Sequence, residues 1–184
     1  MVRTTHFQNL VLADVPNDQL FALWQRITPL GFATPNIGTI NDIICCPGGD
    51  FCALANAKSI PVAEDIQSRF DDLDYLYDLG PLELNISGCM NACGHHHIGH
   101  IGILGVDRKG EEFYQVSIGG SGHKKASIGK IIGPAFSRSE VASVVETLVA
   151  VYLDHRQPEE PFIETVLRIG VKPFKERVYA ITDK

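Results

Sequence analysis

The sequence predicts an α+β fold, and three observations carry that expectation. Strand-like and helix-period stretches alternate over residues 1–45. Two apolar strands run directly into loops rich in glycine and cysteine. Near the C-terminus a hairpin-like pair of strands precedes a long helical segment.

The elements follow in chain order. RTTHFQNLVLADV, residues 3–15, is rich in β-branched and aromatic residues with rough alternation, and reads as a strand. Pro16-Asn17-Asp18 supplies a turn and an N-cap. Leu20, Phe21, Leu23, Trp24 and Ile27 then recur at helical spacing until Pro29 and Gly31 end the helix. Residues 37–45 read as a second strand, closing a strand–helix–strand unit that cannot complete a core alone. From residue 46 a glycine turn runs into a short helical stretch, with Asp50 as its N-cap. Pro61 opens a longer helix that Gly80 closes. PLELNIS, residues 81–87, is a strand leading to Gly88-Cys89. Residues 100–108 and 111–120 form a hairpin around Arg108-Lys109-Gly110. A loop bearing glycines and lysines follows, residues 119–130, and then the apolar IIGPAF. Residues 137–156 form a helix capped by Ser137 or Ser139. The tail is helical, interrupted near Gly170 and Pro173. This reading divides the chain into residues 1–45 and 46–184, without internal repeats.

Composition narrows the function classes. The chain has 184 residues, 45% of them hydrophobic and 21% charged, enough for one good core. A net charge of −6 argues against nucleic-acid binding through bulk charge. No apolar run approaches the ~20 residues that span a bilayer, so no membrane segment is expected. The N-terminus lacks the pattern of a secretory signal, and a cytoplasmic protein is expected. In that compartment the five cysteines serve as thiols, nucleophiles or metal ligands rather than as disulfides.

The cysteines fall into two pairs and one remainder. Cys46 and Cys52 form C-x5-C around Pro47-Gly48-Gly49. Cys89 and Cys93 form C-x3-C between Gly88 and Gly94. Each pair follows an apolar strand and opens what reads as a loop-to-helix transition, where backbone N–H groups favour negative charge. Glycine turns also remove bulk beside sulfur and donate hydrogen bonds that raise a cluster's reduction potential. Two pairs therefore suit one iron–sulfur cluster. Zinc remains an alternative, although C-x5-C is loose for a zinc knuckle. Small buried hydrophobes are the third possibility.

C-x5-C, a long gap, and then G-C-x-N-x-C-G resembles the cluster signature of siroheme-dependent sulfite and nitrite reductases. RTTHFQN, residues 3–9, looks like the R-x-T-x-x-Q-N start of that family's ferredoxin-like half-repeat. The strand pair ending at Gly119-Gly120 and the C-terminal helices follow the family's order. The resemblance implies a ferredoxin-like half-repeat, residues 1–45, packed on a mixed α/β cluster- and siroheme-binding domain, residues 46–184. It implies that Cys46, Cys52, Cys89 and Cys93 hold one [4Fe–4S] cluster, with Cys93 also bridging to siroheme iron. Asn91 matches the family's Asn in the second pair, while Met90 stands where proline is common. Family members are longer, so the chain resembles the C-terminal half of a reductase, with the N-terminal half as its expected partner. The implied reaction is the six-electron reduction of sulfite to sulfide or of nitrite to ammonia. A ferredoxin or flavoprotein would donate the electrons.

An anionic cofactor and an anionic substrate require basic groups. Arg3, Lys58, Lys124, Lys125 and Lys130 are the candidates, with Lys124 and Lys125 first because they lie in the loop after Gly119-Gly120. Asn91, Gly94, His95, Gly119 and Gly120 are the further residues expected to bind cofactor. Of His95, His96, His97 and His100, one or two are expected to face the site and the rest to be structural or exposed. Cys45 neighbours Cys46 and would point to the opposite face of its strand, as a buried bystander.

Overall fold

The computed structural model describes residues 1–123 and 125–182, except the side chain of Ile181. Two compact units emerge, Met1–Asn36 and Ile37–Lys184. The division falls ahead of residue 45 because Ile44–Cys45 joins the sheet of the larger unit.

In the smaller unit, β1 (Val2–Thr4) and β2 (Leu10–Leu12) pair antiparallel. The single strand expected over residues 3–15 is thus a short hairpin. Gln8 takes a left-handed φ of 62°, and the Asn9 N–H donates to Thr5 Oγ1 at 3.1 Å across the turn. Helix α1 (Leu20–Ile27) runs into a 3-10 turn at Thr28–Leu30, which Gly31 ends with φ 78°.

The larger unit is built on one mixed sheet. Its strands are β3 (Ile44–Cys45), β4 (Leu84–Ser87), β5 (Ile101–Arg108), β6 (Glu111–Ile118), β7 (Lys130–Ile131) and β8 (Phe136–Ser137). Their order is β3-β4-β5-β6-β7, with β8 also paired to β6. β3, β4 and β5 run parallel; β6 is antiparallel to β5, β7 and β8. The expected strand over residues 37–45 shortens to Ile44–Cys45. Ahead of it Gly38 adopts φ 77°, and the Gly38 N–H donates to Asp42 Oδ2 at 3.0 Å, closing a turn.

Alternation along the strands sets the two faces of the sheet. Leu84, Ile86, Ile101, Ile103, Val116 and Ile118 share one face and are fully buried with Val145, Leu148 and Val149 of α4 (Arg138–His155). Helix α4 starts at a capping box, in which Glu140 accepts the backbone N–H of Ser137 at 2.7 Å. Helices α5 (Phe162–Ile169) and α6 (Lys172–Ile181) pack on α4, with Gly170 between them and Pro173 in the first turn of α6. The helix expected from Pro61 to Gly80 is two helices, α2 (Ile60–Gln67) and α3 (Leu73–Leu79). Asp72 breaks the run, because its side chain accepts the Tyr75 N–H at 2.8 Å and caps α3. The hairpin turn is at Lys109-Gly110, both with positive φ, the backbone of a type I′ turn.

Candidate functional site

Parallel pairing of β3 with β4 puts both cysteine loops at the same end of the sheet. Cys45 is in register with Ile86, and the Cys46 N–H donates to the Ile86 carbonyl at 3.1 Å. The first loop leaves β3 at Cys46, and the second leaves β4 at Gly88. In open α/β sheets ligands bind outside the carboxyl ends of parallel strands. This is such a place.

The two loops are knitted together by short bonds. The Gly88 N–H donates to Cys46 Sγ at 3.1 Å, and Ser59 Oγ lies 3.5 Å from the same sulfur. The Gly88 carbonyl accepts from Asn56 N–H at 2.9 Å and from Ala57 N–H at 3.0 Å. The Cys52 N–H donates to Gly48 O at 2.9 Å, folding the first pair into one turn. Tyr114 on β6 anchors the loop from beneath, its hydroxyl donating to Lys58 O at 2.7 Å. Burial and the neighbouring Glu112 carboxylate push the Tyr114 pKa up, so it remains a donor. Two glycines are set by space. A Cβ on Gly48, whose φ is 57°, would sit 2.4 Å from Ser59 N, and one on Gly88 would sit 2.6 Å from Ala57 O.

The four paired cysteines form a gradient of exposure. Cys46 and Cys89 are buried, at 7% and 8% exposure, Cys52 is intermediate and Cys93 is exposed. Phe51, Leu54 and Met90 on the same loops are strongly exposed. Among the described residues no three His, Cys, Asp or Glu side chains converge on a single ion. A zinc ion would need its thiolates about 2.3 Å from one point. A four-iron cluster takes one thiolate per iron and so spreads its ligands. The amide aimed at Cys46 Sγ, and two loops meeting at one strand end, fit an anionic cluster. Cys45 packs against the core, and burial, then the adjacent Cys46, push its thiol up to about 12.

Beyond Cys93 the expected helix does not form. Residues 94–100 instead run back along the outer face of the sheet as a strap leading to β5. In place of the amide donation anticipated from a helix N-terminus, the Gly88 N–H donates to Cys46 Sγ. Asn85 and Ser87, pointing away from the core, hold the strap. Asn85 Nδ2 donates to Gly94 O at 3.0 Å, and Gly94 N–H donates to Ser87 Oγ at 3.1 Å. The strap lies flush on the sheet. A Cβ on Gly94 would be 2.0 Å from Ile86 O, and one on Gly102 would be 2.0 Å from His96 O.

The strap sorts the histidines. His96 and His100 are buried, whereas His95 and His97 are exposed. His100 Nδ1 accepts the Glu83 N–H at 3.2 Å, and burial pushes its pKa down. His96 is held down to about 4 by burial and then by His97, and its Nδ1 has no hydrogen-bond partner among the described residues. The His96 and His97 side chains border a cavity of about 240 Å³ over the outer face, with Leu104, Gln115, Ser117 and Ile131.

The remaining predicted residues are dispersed. Asn91 is exposed beside Cys93, and His95 takes φ 53°. Gly119 and Gly120 are buried, with Gly120 backing onto the strap, where a Cβ would lie 2.5 Å from Gly99 O. Lys58 pairs with Asp50 at 3.2 Å; Asp50 ends a 3-10 turn, Gly48–Asp50, and the helical stretch expected after it does not form, the next helix starting at Ile60. Lys125 and Lys130 are exposed, and Lys124 lies outside the described residues. Arg3 is on β1 in the smaller unit. Ser59, Asn85, Ser87 and Tyr114 were not singled out from sequence. Only Ser59 left a trace there, as a serine just ahead of a helix with proline in its first turn.

The nitrite and sulphite reductase 4Fe-4S domain matches residues 38–183. The chain belongs to that family. It is 28% identical to a sulfite reductase [ferredoxin] of Mycobacterium tuberculosis over 91% of its own length and 32% of the relative's. It is 26% identical to a sulfite reductase [NADPH] hemoprotein beta-component of Methylobacterium radiotolerans, over 91% of the chain and 27% of the relative. The Mycobacterium tuberculosis NirA structure superposes with a TM-score of 0.79 at 26% identity, covering 94% of this chain and 33% of that one. Dissimilatory sulfite reductase I shares the fold, with a TM-score of 0.72 at 13% identity, over 89% of this chain and 58% of that one. The chain spans between about a quarter and a third of the length of the curated relatives it matches.

Proposed function

We propose that this chain is the cluster-bearing C-terminal part of a siroheme-dependent sulfite or nitrite reductase, in which Cys46, Cys52, Cys89 and Cys93 hold one [4Fe–4S] cluster. The observation that carries the reading is the meeting of the two cysteine loops at the ends of β3 and β4, with the Gly88 amide on Cys46 Sγ. Cys46 and Cys89 anchor the cluster in the protein, and exposed Cys93 presents its outer edge. Cys93 would also bridge to siroheme. Siroheme, when bound, supplies the six-electron redox chemistry on the substrate anion.

The chain's own residues have simpler tasks. Exposed Asn91 and His95, with buried Gly94 in the backbone beside them, lie next to Cys93 and would border the tetrapyrrole, with Gly119 and Gly120 beneath the strap. Lys124 and Lys125 would place positive charge where an anion is drawn in, offsetting a chain whose net charge is −6. The rest of the siroheme and substrate site would come from polypeptide beyond this span, and electrons from a ferredoxin or flavoprotein. Sulfite is favoured over nitrite as substrate because both curated relatives described above are sulfite reductases.

The test is an absorption spectrum with iron, sulfide and zinc analysis on anaerobically purified protein, co-expressed with siroheme synthesis. About four irons with matching acid-labile sulfide would establish the cluster, and a Soret band with a fifth iron the siroheme. Stoichiometric zinc without sulfide would overturn the reading.

A further inference from the structure

We infer that Ser59 is a positioning residue for the cluster, its hydroxyl donating to the Cys46 thiolate and raising the cluster's reduction potential. The inference rests on the reading of Cys46 as a cluster ligand and adds a residue that the cysteine motif does not contain.

Ser59 stands at the N-cap of α2, where a serine ordinarily accepts a backbone N–H from the second or third helical residue. Here it makes no such bond. The second helical residue is Pro61, which has no N–H to offer. The backbone of Ser59, with φ −107° and ψ −41°, is also outside the extended region typical of N-caps. Its carbonyl still opens the helix, accepting the Ala63 N–H at 3.0 Å. The hydroxyl is therefore released from capping, and it lies 3.5 Å from Cys46 Sγ.

Its surroundings keep it there. Ser59 is fully buried. A Cβ on Gly48 would come 2.6 Å from Ser59 Oγ, and one on Gly88 2.9 Å from it, so both cysteine loops close on this atom. Beside it the Gly88 N–H reaches the same sulfur at 3.1 Å. Cys46 Sγ thus has two donors in a buried setting. Hydrogen bonds to a ligating thiolate withdraw charge from it and favour the reduced, more negative cluster. Burial acts in the opposite direction, because it disfavours added charge. The hydroxyl offsets part of that burial.

The measurement is an EPR-monitored redox titration of the cluster in the full chain and in the Ser59→Ala and Ser59→Thr variants, with iron and sulfide counted in each. Ser59→Ala is expected to keep four irons and to show a lower midpoint potential, and Ser59→Thr to return towards the parent value. An unchanged potential in Ser59→Ala at full iron content would overturn the role of Ser59 while leaving the cluster intact. A parent chain that binds no cluster would overturn both this inference and the function it rests on. Should Ser59→Ala fail to fold, Ser59→Gly replaces it, glycine being well tolerated at an N-cap. A lowered midpoint potential at full iron content supports the role of Ser59, and an unchanged one overturns it.

Discussion

At the scale of single residues, two adjacent cysteines with opposite fates are the sharpest contrast. Cys45 shares register with Ile86 on the core face of the sheet, and its thiol is pushed up to about 12. Cys46, one residue on, leaves the strand and meets the Gly88 amide. Cys45→Ala is expected to leave iron content unchanged, whereas Cys46→Ser lowers it sharply; iron and sulfide analysis of the two variants checks this. Cys93→Ser is expected to lower siroheme content or shift the Soret band of protein co-expressed with siroheme synthesis, since that thiolate is proposed to serve both groups; an unchanged spectrum would count against it. The cysteine pairs were legible because their spacing is written in the sequence. Ser59 was not, because its distance from Cys46 is set by how two loops fold against each other. The histidines were half legible: their clustering was plain, but burial of His96 and His100 against exposure of His95 and His97 depends on the strap's path.

Among the elements, the strap of residues 94–100 departs most from expectation. Glycines followed the cysteines, and a helix start was a reasonable reading of them. The structure uses Gly94, Gly99, Gly102 and Gly120 to let backbone lie directly on backbone. A Cβ at Gly94 would overlap the Ile86 carbonyl, which belongs to a central strand and cannot withdraw. Gly94→Ala is therefore expected to destabilise the protein by about 3 kcal/mol, in the upper range for overpacking, and to impair cluster retention. Urea denaturation and iron analysis measure both effects. The same logic explains the shortened β3 and the divided α2–α3 segment. Local propensity favoured longer elements, but the turn closed by Gly38 and Asp42, and the Asp72 cap, terminate them.

For the whole molecule, the buried histidines couple stability to pH. The folded pKa of His96, about 4, lies below its ordinary 6.5, and that of His100 is lowered as well. The unfolded chain therefore binds protons that the folded chain refuses. Stability is fully present above about 6.5 and declines as pH falls towards 4. Chemical denaturation of the apoprotein between pH 7.5 and 5 is expected to show this loss, and a His96→Gln variant to show a shallower slope.

The sequence by itself determined the α+β class, the hairpin, the long capped helix, the family and the four cysteines proposed as ligands. These depend on periodicity, turn chemistry and spacing, which are local properties of the chain. Tertiary structure decided that β3 and β4 run side by side, which alone brings C-x5-C to C-x3-C. It also placed the division between units at Asn36 rather than at residue 45 and directed the Ser59 hydroxyl to sulfur. Such outcomes depend on parallel pairing between segments far apart in sequence, where no local pattern records which strand will be the neighbour.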